Sequence, residues 1–405
     1  MIRREAFKFR IKTSPSLETS ARRIAGCNRF VWNKAFALEQ ETYETTGKRL
    51  GYQALASLLV LWKKDEKTAF LSEAPSQSLQ QTLKNLDTAY QRFFKKLGSF
   101  PRFKKRGEHD SFRIPQGFKL DQENSRLFLP KLGWVRYHNR RAVLGTVKNM
   151  TVSLSSGKWF VSIQPERELE RPVHASSTLV GIDVGITRFA TLSCKGQITA
   201  IEPSNSFRRH EARLARYQRA MSRKIKFSRN WVKAKAKVQR YHARIANVRR
   251  DFLHKQSTAI SQNHAIIVLE DLRVKNLSAS AQGTVAAPGK KVRQKSGLNK
   301  AILDQGWGEF DRQCQYKQDW RGGQVLRINP KNTSRTCPCC GHVAAENRQT
   351  QAQFLCVECG FEGNADDVAS INIEAAGHAV LAHGEVVQSG PSAKWEPSEG
   401  VRLAA

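Results

Sequence analysis

The chain has 405 residues, 40% hydrophobic and 25% charged, a balance that supports buried cores and excludes a largely unstructured polymer. Its charge is one-sided: 68 Lys and Arg against 35 Asp and Glu leave a formal +33, which calls for a polyanionic partner to relieve self-repulsion, and nucleic acid is the expected one. No stretch approaches the ~20 apolar residues of a spanning helix, and the basic residues run through nearly the whole chain, so no membrane partner is expected.

Phe7, Phe9 and Ile11 alternate with Lys8, Arg10 and Lys12, the period of a half-buried strand, which a turn at Pro15 is expected to end. From Ser20 to about Gly98 apolar residues recur at spacings of three and four, through Phe30, Val31 and Trp32, then Leu55 to Trp62, then Leu79 to Phe94. That pattern predicts a helical insert. The basic run Phe100-Pro101-Arg102-Phe103-Lys104-Lys105-Arg106 follows. Alternation returns at Leu127-Phe128-Leu129 and from Val152 to Ile163, so a small β-barrel interrupted by helices is expected.

The chain changes character after Ser176. Leu179-Val180-Gly181-Ile182-Asp183-Val184 reads as a buried strand, Gly185 as a tight turn and Phe189-Ala190-Thr191-Leu192-Ser193 as a second strand, the way a ribonuclease H-like sheet would open. Residues 207–264 read as a long basic helical region whose stripe of Val238, Tyr241, Ile245, Val248 and Phe252 marks its core-facing side. Residues 205–255 carry 17 Lys and Arg against only Glu211 and Asp251, which makes this surface a candidate for phosphate contacts. Ala265-Ile266-Ile267-Val268-Leu269-Glu270 predicts a fully buried strand. Residues 278–297, with Lys290, Lys291, Arg293 and Lys295, read as a flexible loop. A helix through Ile302, Trp307, Phe310 and Trp320, a strand over 325–328, a cysteine cluster, a last helix from about Asp366 to Leu381 and a disordered tail over 383–405 complete the expected order.

Five of the eight cysteines lie between 337 and 359, while Cys27, Cys194 and Cys314 are scattered and expected to be buried thiols. Cys337 and Cys340, then Cys356 and Cys359, form two C-x-x-C knuckles separated by 15 residues, the spacing of a four-cysteine zinc ribbon. A closed four-sulfur site is structural, so this zinc is not expected to do chemistry. Cys339 is left over. The absence of an apolar signal core in residues 1–5 agrees with a reducing cytoplasmic setting.

An acid inside the apolar run 179–184 is costly unless paired or bound to a metal. Asp183 is therefore a candidate ligand of a hard cation. Glu270 and Asp271 are neighbours at the end of a strand, and the alternation favours Glu270. Asp366 and Asp367 stand at a helix start, where aspartate commonly caps free amides, so the residues alone leave that choice open. Three such carboxylates from distant positions suit two cations roughly 3.5 to 4 Å apart acting on a phosphodiester.

Taken together, Arg29-Phe30-Val31-Trp32-Asn33, Phe100-Pro101-Arg102-Phe103-Lys104, Gly181-Ile182-Asp183-Val184-Gly185, Asp251-Phe252-Leu253-His254-Lys255, Glu270-Asp271-Leu272 and Thr333-Ser334-Arg335-Thr336-Cys337 resemble the TnpB family of transposon-encoded RNA-guided nucleases, relatives of the type V CRISPR effectors. The resemblance covers nearly the whole chain. It implies a multidomain α+β protein: a β-barrel wedge domain over 1–16 and 99–175, a helical recognition insert over 17–98, a ribonuclease H-like (RuvC) α/β nuclease domain over 176–330 and 362–382, and a zinc ribbon over 331–361 interrupting it. It assigns the acids to Asp183, Glu270 and Asp366, with magnesium, or manganese in its place, as the catalytic metal and zinc as the structural one. The implied partners are a guide RNA from the transposon end and double-stranded DNA with a short flanking motif, held by a monomeric protein that associates with the nucleoid when on DNA. Arg102, Lys104, Lys105, Arg106, Arg223, Lys224, Lys233, Lys237 and Arg249 are the expected nucleic-acid contacts, and the 278–297 loop a candidate lid. One departure stands out: Val368 occupies the place where the family usually has Asn. It leaves open an alternative, a nuclease-inactive RNA-guided DNA-binding regulator or transposon accessory protein.

Overall fold

The computed structural model describes residues 1–382; the tail over 383–405 lies outside the described residues. The chain divides into two compact units, Met1–Glu170 and Arg171–Ala405.

The first unit opens with β1 (Ile2–Arg4) and β2 (Phe7–Arg10). The turn expected at Pro15 is instead the first turn of α1 (Pro15–Thr46): Ser14 Oγ accepts from the Leu17 amide at 3.2 Å, and Pro15 lacks an N–H that helix entry leaves unpaired in any case. Gly47, at φ +67°, closes the helix in the left-handed conformation that glycine tolerates. Then come α2 (Gly51–Lys64), a 3-10 segment (Glu66–Glu73) and α3 (Ser76–Phe94). The strands β3 (Ser111–Ile114), β4 (Lys119–Asp121), β5 (Arg126–Leu129), β6 (Gly133–Arg136), β7 (Thr146–Ser155) and β8 (Lys158–Glu168) complete the unit.

β3, β7 and β8 form one antiparallel sheet, with β1 and β2 both paired to the far side of β8, and β4, β5 and β6 form a second; one bridge, Ile11 to Tyr137, joins them. Helices and sheets share a single core in which Phe36 and Leu83 belong with Phe9, Met150 and Trp159. Two of the family-like segments meet here. The Trp32 indole donates to the Arg102 carbonyl at 2.9 Å, Asn33 exchanges two hydrogen bonds with the Lys104 backbone, and Lys104 Nζ lies 3.8 Å from the Trp32 ring centroid. The basic run from Phe100 is thus fastened to α1 by side chains that read its backbone.

The second unit is built on β9 (Leu179–Val184), β10 (Ala190–Cys194) and β11 (Gln197–Ile201), then α4 (Glu211–Ser222), α5 (Arg229–Asn263), β12 (Ile266–Glu270), the short α6 (Val274–Leu277), α7 (Val292–Gln305), α8 (Trp307–Asp319), β13 (Gln324–Ile328), β14 (Gln353–Leu355), β15 (Glu362–Asn364) and α9 (Ala365–Ala382). One five-stranded sheet runs β11, β10, β9, β12, β13, antiparallel through β9 and parallel beyond it. α5 and α8 pack with the sheet through Leu253, Ile260, Ile267 and Phe310, while α9 joins Leu179, Val268 and Ile328 through Ile373.

Three expectations change in detail. The basic region is two helices, and Val238, Tyr241 and Ile245 pack on Leu214 of α4 instead of the sheet, while Val248 is exposed. Only the later half of α5 reaches the sheet core, because a 35-residue helix outruns it. The loop expected to run to Gly297 ends earlier, since α7 begins at Val292. The single helix expected from Ile302 to Trp320 is broken at Gly306, whose φ of +75° lies outside the helical region.

Candidate active site and metal centre

Asp183 and Glu270 stand at the ends of neighbouring parallel strands, and the register that pairs Leu269 with Ile182 puts them side by side. Asp366 arrives from the first turn of α9. What lets α9 approach is a missing side chain: a methyl at Gly181 would lie 2.6 Å from the Ser370 carbonyl oxygen and 2.7 Å from Glu374 Cα, and would also strike the Glu374 amide. Gly377 does the same on the helix side, facing the Val268 methyls of β12. Helix and sheet therefore touch backbone to backbone beside Asp183.

The two open choices between adjacent acids acquire partners. Asp367 is bound by Arg188 at 2.6 Å, and the amide of Asp366 donates to Asn364 Oδ1 at 3.0 Å. The cap is Asn364, which leaves the Asp366 carboxylate without a capping duty. Glu270 Oε1 accepts a 2.5 Å hydrogen bond from the Thr333 hydroxyl, so the Thr333-Ser334-Arg335 segment holds the second acid in place. Val368 is buried with Cys337, Phe354 and Cys356 in a small apolar cluster, a setting in which a branched apolar side chain packs without an unmet hydrogen bond.

The electrostatics link Asp183 to the other two acids. Burial, then the neighbouring Glu270 and Asp366, push the Asp183 carboxyl up from its ordinary 3.8 to about 7, with Arg348 pulling the other way. Burial raises Glu270 as well, against the Thr333 hydrogen bond. A carboxylate pushed up first by burial and then by two neighbouring acids fits a bound hard cation, whose oxygen ligands are carboxylates. Arg348, in the cysteine-bearing segment, is a functional candidate that sequence reasoning missed. No local pattern could have flagged it, because it lies 165 positions from the acid it acts on (348 − 183).

The cysteines converge as expected: the Sγ atoms of Cys337, Cys340, Cys356 and Cys359 all lie within 4.8 Å of one another. The Cys337–Cys359 and Cys340–Cys356 separations are each 3.6 Å, near the ~3.8 Å between sulfurs placed tetrahedrally at 2.3 Å from zinc. Gly341 and Gly360, at φ +77° and +72°, donate back to the Cys337 and Cys356 carbonyls and curl each knuckle behind its thiols. Asn347, fully buried, ties the knuckles together through Arg335, His342 and Val357. β14 and β15 pair as a hairpin on either side of the second knuckle. Cys339 is exposed and outside the cluster; Cys27 and Cys314 are buried, and Cys194 is half-buried.

Of the expected nucleic-acid contacts, Arg223, Lys224, Lys233 and Lys237 are exposed on the α4–α5 pair, and Arg102, Lys105 and Arg106 on the fastened loop. Arg249 differs. It donates to the Leu303 carbonyl at 3.0 Å and pairs with buried Asp304, which also accepts from Ser206 and the Phe207 and Arg208 amides. Arg249 thus supplies the cation that buried Asp304 needs at the start of the basic helices. No described helix is long and apolar enough to cross a membrane.

Residues 150–281 match a family described as "Probable transposase", residues 307–373 a "Cas12f1-like, TNB domain" and residues 1–48 a "Helix-turn-helix domain". In the structure that last stretch is two short strands and one long helix. The chain is 56% identical over 405 residues, all of both chains, to "Putative RNA-guided DNA endonuclease InsQ" of Escherichia coli strain K12. It is 35% identical over 393 residues, 95% of this chain and 92% of the other, to a protein from Streptomyces pristinaespiralis described as "Putative RNA-guided DNA endonuclease". A solved Cas12f1 complex with guide RNA and target DNA shares the fold at a TM-score of 0.58 and 12% identity, covering 92% of this chain and 99% of that one.

Proposed function

The chain belongs to the TnpB family, related to the type V effectors, and from that premise we propose that it is an RNA-guided DNA endonuclease whose metal-dependent site is Asp183, Glu270 and Asp366. The observation that carries the site is the placement of Asp183 and Glu270 at two adjacent strand ends and Asp366 at one helix start, with Asp183 buried beside the other two. Magnesium bound there would supply a water-derived nucleophile and charge stabilisation for phosphodiester hydrolysis.

The chain's own residues have distinct tasks in this reading. Asp183, between Glu270 and Asp366 in its electrostatics, would be held ionised by a bound cation. Thr333 aims Glu270, Arg188 draws Asp367 away, and Gly181 sets the distance of Asp366. Arg348 brings a positive charge to the same place, where it would meet the scissile phosphate. The ribbon is a structural zinc site that carries Arg348 toward the acids. Guide RNA pairing with one DNA strand would supply sequence specificity, leaving the protein to read backbone shape and a short flanking motif. The retained acids favour cutting over the nuclease-inactive alternative, and the apolar packing of Val368 is compatible with an intact fold at that position.

The test is to purify the full chain with its bound RNA, sequence that RNA, and assay cleavage of a matched plasmid with magnesium for wild type and Asp183→Ala. Guide-dependent cutting by wild type alone is expected. A preparation without RNA would overturn the guided reading, and equal cutting by the variant would overturn the metal site.

A further inference from the structure

We infer that the tip joining α4 to α5 is a stacking platform for unpaired nucleotides of the guide RNA, with Phe227 and Trp231 as its rings; this rests on the RNA-guided reading above. The tip is a local anomaly. Ile225 is 84% exposed, Phe227 74% and Val232 53%, large apolar side chains at the end of the α4–α5 pair and outside the small core that the pair shares. Phe227 also sits at φ +69°, a conformation that a bulky residue adopts only against steric resistance. Among the described residues its ring meets Trp231, edge-on at 5.4 Å, and the Lys226 ammonium at 5.3 Å, and it belongs to no core.

The surroundings select the partner. Residues 223–235 contain Arg223, Lys224, Lys226, Arg229, Lys233 and Lys235 and no acid, and none of these six cations is in an ion pair among the described residues. Lys235 lies 5.1 Å from the Trp231 ring centroid. A second copy of the chain would meet like charge with like charge, and an apolar protein partner would leave six cations without counter-ions. Exposed rings set among cations are the arrangement that grips single strands, since bases offer faces to the rings while phosphates meet the ammonium groups. A paired duplex offers edges and phosphates but no free faces. RNA is favoured over the displaced DNA strand because an apolar tip left bare between encounters would promote aggregation. The guide is the partner that stays.

The experiment uses the full chain copurified with its RNA, irradiated with ultraviolet light before any DNA is added, and reads nucleotide-modified peptides by mass spectrometry. A ribonucleotide adduct at Phe227 or Trp231 is expected. The recovered RNA, transcribed and titrated against the RNA-free chain, should bind Phe227→Ala/Trp231→Ala roughly 5- to 150-fold more weakly per stacked base lost. That loss should persist at every salt concentration, whereas Lys226→Gln should lower the salt slope by about one. Phe227→Tyr should retain affinity and Phe227→Leu should not, which separates stacking from greasiness. Circular dichroism should be unchanged in all four variants, since the replaced side chains are largely outside any core. Unchanged affinity of the double variant, or adducts that form only on added DNA, would overturn the platform while leaving guided cleavage intact. A chain that purifies without RNA would overturn both.

Discussion

Replacing Gly181 by alanine tests how the candidate site is assembled. The new methyl would lie 2.6 Å from the Ser370 carbonyl oxygen and 2.7 Å from Glu374 Cα. Ordinary contact begins near 3.4 Å, so the α9 backbone must retreat by about 1 Å, and such overpacking typically costs about 1–3 kcal/mol. Ser370 is four residues, or about 6 Å of helix, from Asp366, so the carboxylate moves with the helix by a similar distance. Misplacement of about 1 Å costs on the order of 100-fold in rate. The assay is single-turnover plasmid cleavage across a magnesium titration, alongside the thermal unfolding midpoint. Gly181→Ala should unfold several degrees lower and cut about two orders of magnitude more slowly, with a raised magnesium requirement. Gly377→Ala should likewise lower stability, because it presses on the buried Val268 side chain, which is stiff and has no room to turn. A Gly181→Ala protein with wild-type rate and stability would refute the idea that this contact sets the position of Asp366.

Asp366→Asn should abolish magnesium-dependent cutting, while Asp367→Asn should cost at most about 1 kcal/mol of stability, since its pair with Arg188 is about one-third exposed; equal loss of activity in both would show that the assignment is wrong. The folded-state carboxyl of Asp183 sits near 7 against an ordinary 3.8, so the magnesium-free protein should lose stability between about pH 4 and pH 7 and level off above. Each pH step of one across that window weakens the fold by about 1.4 kcal/mol, which bounds the loss at roughly 4 kcal/mol. Asp183→Asn should remove that slope in urea unfolding curves, and a slope shared by the variant would place its origin elsewhere. Cys337→Ser should lower zinc content by elemental analysis and the unfolding midpoint together; unchanged zinc would sink the ribbon assignment.

Elements with strong local signals were legible in the sequence. The buried strands at β9 and β12, the paired knuckles and the alternation of β7 and β8 each follow from periodicity or spacing over a few residues. Other features were hidden because their causes are distant. Pro15 reads as a turn and proves to be helix entry, because Ser14 supplies the cap. The stripe on α5 faces α4, and periodicity cannot say which partner a face will meet.

The sequence by itself pointed to a polyanionic partner, to four thiols spaced for one metal and to acids placed where burial makes them costly. These are consequences of charge, spacing and desolvation, which need no partner residue. Only the tertiary structure showed that Arg188 pairs with Asp367 while Asn364 caps the helix beside Asp366, tied Arg249 to Asp304 and brought Arg348 to Asp183. Each arginine's place depends on a contact across many residues of chain, and the contact that sets the site, α9 against Gly181, depends on a side chain that is absent.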